Sequence, residues 1–150
     1  MNRQPAGNQW LKDFIPYLLY RSSHRLNSRL LTRLKAMKIN ASQWRVLSVL
    51  RAYGTLSVSE IVEHTLMEQP TISRIVAQLE QDGSVERQQS AQDTRVTQVS
   101  LTPKGIAAFE AVIPAALRHQ ELALAGMTPE ELSTLTRLLA KIEKNIDMYT

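Results

Sequence analysis

Side chains able to hydrogen bond to nucleobases are concentrated between residues 69 and 78. Gln69, Thr71, Ser73, Arg74 and Gln78 fall within ten residues, interleaved with aliphatic positions. The amide of Gln69 can bond two atoms on the edge of adenine, and the guanidinium of Arg74 two atoms on guanine, each worth about 1–3 kcal/mol of discrimination. The hydroxyls can bond phosphates or bases. This set could read a DNA groove; the alternative is a polar, solvated helix face.

A second candidate is the charge pair in the run Asp93-Thr94-Arg95, at the end of the polar, turn-prone stretch SAQDTR. An aspartate in a turn can accept hydrogen bonds from backbone N–H groups two residues on, and it can also pair with an arginine. Either interaction would hold the Arg95 guanidinium at the tip of a loop, and a fixed cation suits a narrow minor groove. The alternative is a surface ion pair that steadies a turn, worth only about 0–1 kcal/mol.

The elements that must position these residues are mainly helical. Apolar residues recurring every three or four positions predict a first helix over about 11–37, with Pro16 near its start. Pairs at the spacing of a capping box predict further helix starts at Asn40, Ser57 and Thr128. Pro70 is tolerated in the first turn of a helix over about 69–82, and Thr102-Pro103 opens another.

Two short strands complete the pattern. Residues 84–90 and 96–101 are partly alternating and contain valine and threonine, which predicts a hairpin. Helix, helix, turn, helix and hairpin together describe a winged helix-turn-helix over about 40–101. The expected fold class is therefore mainly α with a small β-hairpin wing (α+β), and the helix over 69–82 would present its N-terminal outward residues to a major groove.

The terminal helices predict self-association. We expect one domain over 1–150, in which residues 40–101 form the DNA-binding lobe and residues 10–38 and 104–148 are dimerisation helices. Each terminal helix has a wide aliphatic stripe, and no other segment is large enough to cover both, which favours a homodimer. The last helix is expected to bury six residues: Leu132, Leu135, Leu138, Leu139, Ile142 and Ile146.

Charge is distributed unevenly along the chain. Its net charge is +4, but residues 1–45 contain nine Lys and Arg against Asp13 alone, a net of +8. Residues 69–104 are neutral overall, so they cannot supply nonspecific attraction to DNA. We therefore expect phosphate contacts from basic residues near the first two helix junctions: Arg33, Lys35, Lys38 and Arg45.

Residues and motifs that the sequence lacks exclude several other classes of function. There is no cysteine, the three histidines have no metal-ligand spacing, and no apolar run approaches the length of a membrane span. We expect no cofactor, no metal, no membrane association and a cytoplasmic location. No Gly-rich phosphate loop or nucleophile–base constellation indicates an enzyme. A winged helix that docks another protein is the main alternative to DNA binding, and a hydrophobic outer face on the helix at 69–82 would have favoured it.

The run D-x-R-x(5)-L-T-x-x-G, here Asp93, Arg95, Leu101, Thr102 and Gly105, resembles the signature of the MarR (multiple antibiotic resistance regulator) family. The segments ASQWRVLSVL, EQPTISRIVAQLEQDGSVER and TPEELSTLTRLLAKIEKN resemble that family's second helix, its recognition helix with the following strand, and its C-terminal dimerisation helix. The sequence departs from the family at Ser84 and Gln98, where apolar residues are more common, so we expect a less firmly packed wing.

The resemblance implies a homodimer that binds a pseudo-palindromic operator on double-stranded DNA and usually represses transcription. It implies that Arg74 and its neighbours read the major groove, while Arg95 enters the minor groove oriented by Asp93. It also implies release of DNA by a small aromatic or anionic effector, bound between the dimerisation helices and the DNA-binding lobe. For that site we expect Tyr17, Arg21, His24 and Trp44; the alternatives are core packing for Trp44 and a solvated face for Arg21 and His24.

Overall fold

The computed structural model describes residues 7–149, and of Asn8 only the backbone. It confirms a mainly helical chain with a small antiparallel sheet. The chain divides into one compact unit up to His119 and a second from Gln120, which are described separately. After a 3-10 turn at Gly7–Gln9, the helices are α1 Trp10–Asp13, α2 Ile15–Ala36, α3 Ala41–Tyr53, α4 Val58–Thr65, α5 Gln69–Gln81, α6 Pro103–Ala123 and α7 Pro129–Asp147; the strands are β1 Leu56–Ser57, β2 Val85–Gln89 and β3 Thr97–Leu101.

Local capping signals set three of the helix starts, as predicted. The Asn40 side chain accepts a hydrogen bond from the Gln43 N–H at 2.8 Å, while the Gln43 side chain accepts one from the Asn40 N–H at 3.1 Å. The same reciprocal arrangement opens α4 at Ser57 and α7 at Thr128. Each capping box satisfies two of the N–H groups that a helix start leaves unpaired.

The prediction of a single first helix is wrong in one respect: the helix is divided into two at Phe14. This residue is extended, with φ −81° and ψ 102°, so α1 ends at Asp13 and α2 begins at Ile15. A continuous helix would place the Pro16 ring against the carbonyl of Lys12, whereas a proline in the first turn of a new helix causes no such clash. The break therefore follows from Pro16.

The sheet has three strands rather than the two predicted. Their order is β1-β3-β2, and both neighbouring pairs are antiparallel. In the predicted hairpin, Val85 pairs with Leu101 and Gln89 with Thr97. The additional strand β1 pairs Leu56 with Val99, and its two residues are too few to show an alternating pattern.

Two apolar clusters hold the first unit together. The smaller contains Leu30, Leu34 and Val112, joining α2 to α6. Ser84 is buried at the root of the hairpin, where its N–H donates to the Leu79 carbonyl at 2.8 Å and its carbonyl accepts from the Thr102 N–H at 3.1 Å. The larger cluster joins α3, α4, α5 and the sheet: Val46, Leu47, Leu50, Leu56, Ile61, Ile72, Ile75, Val76, Leu79, Val85 and Val99.

The second unit contains α7, where the predicted core is wrong for a single chain. No residue of α7 is buried. Leu135, Leu138, Leu139 and Ile146 are exposed, while Leu132 and Ile142 are half-buried. The spacing that makes these residues one apolar stripe is present, but most of the stripe is exposed in the part of the chain that the structure describes. Among the described residues, no helix is both long enough and apolar enough to span a membrane.

Candidate nucleic-acid interface

Helix α5 is divided into a buried face and an exposed polar face. Ile72, Ile75, Val76 and Leu79 are at most 3% exposed, which fixes the helix against the larger core. The predicted DNA-contacting residues lie on the rest of its surface: Gln69, Pro70, Ser73, Arg74 and Gln78 are exposed, and Thr71 is half-buried. The helix therefore carries its hydrogen-bonding groups outward, as expected.

The start of α5 differs from the starts of α3, α4 and α7. Pro70 lies in its first turn, as Pro129 does in α7, but the N-cap residue Glu68 forms no side-chain cap. The first backbone N–H groups of a helix are therefore not bonded by a capping side chain here, and such groups can donate to a phosphate. This end of α5 combines exposed polar side chains with uncapped backbone donors.

The tip of the hairpin, residues 90–96, holds Arg95 outward. Asp93 Oδ1 accepts hydrogen bonds from the Arg95 backbone N–H at 3.0 Å and from Arg95 Nε at 3.2 Å. Both interactions predicted for Asp93 are therefore present, yet the Arg95 side chain remains 90% exposed. The same backbone N–H, followed by the guanidinium, lowers the pKa of Asp93 below its ordinary value. Thr94 lies between them and is also exposed.

The turn around Asp93 is itself braced. Ser90 Oγ accepts hydrogen bonds from the N–H groups of Gln92 and Asp93, and the Val96 N–H donates to the Asp93 carbonyl at 2.9 Å. These bonds fix the backbone that carries Arg95. The tip can therefore present a cation in a set direction although its side chain has little packing around it.

An ion pair that sequence patterns do not indicate links α5 to the hairpin. Arg87 Nε and Nη2 donate to the two carboxylate oxygens of Glu80, at 3.0 and 2.8 Å. The bonds from Arg87 lower the pKa of Glu80. The seven-residue separation crosses a turn, so neither helical nor strand periodicity could have paired these residues.

The LTPKG segment fastens the turn after α5 to the start of α6. Thr102 Oγ1 donates to the Gly83 carbonyl at 2.5 Å and accepts from the Gly105 N–H at 3.2 Å. Lys104 Nζ donates to the Asp82 carbonyl. A Cβ atom on Gly105 would lie 2.0 Å from the Ser84 carbonyl oxygen. The glycine is needed because the turn and the helix approach each other this closely.

The structure brings two of the predicted phosphate-contacting residues into one cleft with α5. A cleft of about 610 Å³ is lined by Lys35 and Lys38 on one side and by Gln78 on the other. Lys38 occupies the connection between α2 and α3 with a left-handed backbone, φ 58°. Arg33 and Arg45 are exposed elsewhere and do not line this cleft. Arg3, which contributes to the predicted basic segment, lies outside the described residues.

A separate cavity of about 460 Å³ lies between α2 and α3. His24 and Trp44 line it, as predicted for an effector site, together with Tyr20 and Arg45. Tyr17 and Arg21 do not line it; instead Arg21 donates a hydrogen bond to the Tyr17 hydroxyl at 3.2 Å. Arg21 is exposed, which agrees with the alternative of a solvated face, and the cation at this cavity is Arg45.

Trp44 connects this cavity to α6. Its ring stacks on Phe109, with the centroids 5.1 Å apart and the planes 9° apart. Arg51 lies over Phe109 at 6.0 Å and bonds Glu110 at 3.2 Å. The predicted alternative of core packing for Trp44 is therefore also met, since Trp44 packs against the smaller core while contributing to the cavity wall.

Comparison with known proteins agrees with this geometry. Residues 39–97, which include α5 and the hairpin tip, match the model of the MarR family. The chain is 30% identical over 147 residues to the HTH-type transcriptional repressor IacR of Pseudomonas putida, covering 97% of this chain and 88% of the relative. The chain belongs to the MarR family. It is a DNA-binding transcriptional regulator.

Solved structures of MarR-family proteins share the fold. A MarR family transcriptional regulator from Silicibacter pomeroyi DSS superimposes with a TM-score of 0.88 at 32% identity, covering 99% of this chain and 100% of that one. BpsR of Bordetella bronchiseptica, whose DNA binding is regulated by 6-hydroxynicotinic acid, superimposes with a TM-score of 0.75 at 27% identity, covering 86% and 98%. The MarR fold thus extends over nearly the whole of this chain.

Proposed function

We propose that this MarR-family protein is a homodimeric repressor, without catalytic activity, that binds a pseudo-palindromic operator in the cytoplasm. The start of each α5 enters a major groove, and the two copies of α5 contact half-sites about one helical turn, ~34 Å, apart. Gln69 and Arg74 bond base edges, while Pro70, Thr71, Ser73 and Gln78 complete the contact surface. Arg95 enters the adjacent minor groove.

This proposal rests mainly on the position of Arg95, which is bonded to Asp93 and yet exposed. Its guanidinium is bonded to Asp93 through Nε and yet the side chain is 90% exposed at the tip of a hairpin. An exposed ion pair adds about 0–1 kcal/mol to stability, so stability alone gives little reason for this arrangement. A cation held by both a backbone turn and a carboxylate suits the negative potential of a narrow minor groove.

Dimerisation is supported by apolar faces that a single chain leaves exposed. Four residues of the α7 stripe are 37–45% exposed, and in α2 Ile15, Leu18 and Leu19 are exposed as well. Exposed apolar surface of this extent is typical of a protein–protein interface. A second copy would cover the same faces on both chains, as two-fold symmetry requires.

An effector would occupy the cavity between α2 and α3. Trp44, Tyr20 and His24 supply aromatic surface, and Arg45 supplies a cation, which suits a small aromatic anion. Arg45 also faces solvent. The relative BpsR is regulated by 6-hydroxynicotinic acid, an effector of this class, which supports the assignment.

Binding to the DNA upstream of the gene itself tests the proposal. We expect the wild type to protect a pseudo-palindromic site, and Arg95→Ala to bind that site about a hundredfold more weakly, roughly tenfold for each of the two minor-groove contacts that the dimer loses. Arg51→Ala is the matched control, because it also removes one ion-paired arginine, but one that joins α3 to α6 and belongs to neither α5 nor the hairpin tip. Absence of a protected site, or equal affinity for random DNA, would refute specific operator binding.

The basic residues are tested by salt dependence. Lys38 and Arg45 are expected to contact phosphates in both protomers of the dimer, so replacing both with glutamine removes four contacts. The slope of log affinity against log salt should then fall by about four, roughly one per contact. An unchanged slope would exclude them as phosphate contacts. The loss should be similar for operator and random DNA, because phosphate contacts do not discriminate sequence.

A further inference from the structure

We propose that the Glu80–Arg87 ion pair is a positioning device that fixes the hairpin relative to α5, so that Arg95 and Arg74 reach adjacent grooves together. The pair joins the last turn of α5 to strand β2 through two hydrogen bonds, of 2.8 and 3.0 Å. This inference rests on the proposed DNA-binding role, which does not itself involve Glu80 or Arg87.

The core holds only the first residue of β2, so its outer part is held by pairing with β3 and, toward α5, by this ion pair. Val85 is buried, whereas the four residues that follow it are all exposed. Among the described residues, the other ion pairs lie within the hairpin tip or between α3 and α6, so this pair is the one that ties α5 to the hairpin. A bidentate guanidinium–carboxylate contact restricts both distance and orientation.

Because the hairpin extends well beyond Arg87, a small rotation of β2 at Arg87 causes a larger displacement of the hairpin tip. The hairpin extends about four residues beyond Arg87, roughly 13 Å at ~3.3 Å per residue. A rotation of ~10° there would move the tip by roughly 2 Å over that length. Hydrogen bonds lengthened by this amount are lost, and the minor groove is only about 6 Å wide. A small error in the position of β2 would therefore separate Arg95 from its target.

The ion pair itself contributes little to folding. The two side chains are 42% and 38% exposed, and pairs of this kind typically add about 0–1 kcal/mol to stability. Pairing also neutralises Arg87, which therefore adds little to general attraction for DNA. The pair therefore contributes to the position of the hairpin rather than to stability or to net charge.

Two substitutions that change the net charge in opposite directions distinguish a positioning role of the ion pair from a direct phosphate contact by Arg87. Glu80→Gln makes the protein more basic and Arg87→Gln makes it more acidic, but we expect both to weaken operator binding by a similar factor, about tenfold. The double exchange Glu80→Arg with Arg87→Glu should restore binding. If Arg87 instead contacted phosphate, only its own removal would weaken binding, for random DNA as well, with the salt slope reduced by about two, one for each protomer of the dimer.

A double-mutant cycle with Arg95 gives the decisive comparison. In an Arg95→Ala background, Arg87→Gln should change operator affinity by less than about twofold, because no wing arginine remains to be misplaced. Equal losses in both backgrounds would overturn the inference while leaving DNA recognition by Arg95 intact. If Arg95→Ala alone binds as the wild type does, the proposed minor-groove contact fails instead, and the two failures are thus distinguishable.

A measurement without DNA tests the positioning directly. The chain contains no cysteine, so Ala77→Cys on α5 and Gln92→Cys at the tip can be spin-labelled specifically. With labelled protein diluted into unlabelled protein, we expect Arg87→Gln to broaden the distribution of distances between the labels, and the double exchange to narrow it again. A distribution unchanged by Arg87→Gln would overturn the inference, whatever the DNA affinities show.

Discussion

Replacing Gly105 with alanine should destabilise the protein, although alanine is ordinarily the better helix former. An added Cβ would lie 2.0 Å from the Ser84 carbonyl oxygen and 3.1 Å from Leu101 Cδ2. The turn after α5 would have to move from α6 by more than 1 Å to reach an ordinary contact distance of 3.4 Å. That movement would break the hydrogen bonds from Thr102 to the Gly83 and Ser84 carbonyls.

The magnitude follows from three opposing contributions. Two lost hydrogen bonds cost about 1 kcal/mol each, and overpacking costs about 1–3 kcal/mol more. The higher helix propensity of alanine returns about 1 kcal/mol. The net loss is about 2–4 kcal/mol, which for a chain of this length lowers the melting temperature by roughly 5–15 °C.

Urea unfolding followed by circular dichroism measures this change, with Ala107→Gly as the matched control. Ala107 is exposed two residues further along α6, so its replacement should cost only the helix propensity of alanine over glycine, about 1 kcal/mol. If Gly105→Ala raised stability by that same amount, the close approach between Ser84 and α6 would be refuted.

Two further predictions concern the turn before α5 and the hairpin tip. Leu66 is 91% exposed with a left-handed backbone, φ 56°, so Leu66→Gly should raise the free energy of unfolding by about 0.5–1 kcal/mol; a loss in urea unfolding would contradict this. The folded pKa of Asp93 lies below its ordinary value of 3.8, so its contribution to stability is present above about pH 3.8 and is lost as pH falls through the folded pKa. Because the backbone N–H of Arg95 is the largest cause, an NMR titration of Arg95→Ala should still find a lowered pKa at Asp93; a return to the ordinary value would show that the guanidinium was responsible.

Features encoded within a few residues could be predicted from the sequence. The capping boxes at Asn40, Ser57 and Thr128 depend on residues three apart, and all three are present. The hairpin bonds of Asp93 are equally local. By contrast, the pairing of Glu80 with Arg87 and the contact of Gly105 with Ser84 arise only once the chain has folded back on itself, so no spacing rule indicates them.

The proposed effector site shows how a small angular difference on a helix limits prediction. Tyr17 and Arg21 are four residues apart and lie on one stripe of α2, where they bond each other. Tyr20 and His24 form the neighbouring stripe, whose rings stack 5.8 Å apart, and it is this stripe that lines the cavity. Each stripe contains one tyrosine and one basic residue, so the sequence does not show which of the two lines the cavity. Only the packing of α2 against α3 decides it.

The order of the strands has a consequence for the protein in solution. The central strand is β3, so β2 forms one edge of the sheet and the two-residue β1 forms the other. A very short edge strand, and an edge bearing charged side chains such as Glu86 and Arg87, both discourage the addition of a strand from another molecule. The hairpin proposed to reach DNA can therefore protrude in the free protein without promoting aggregation through the edges of its sheet.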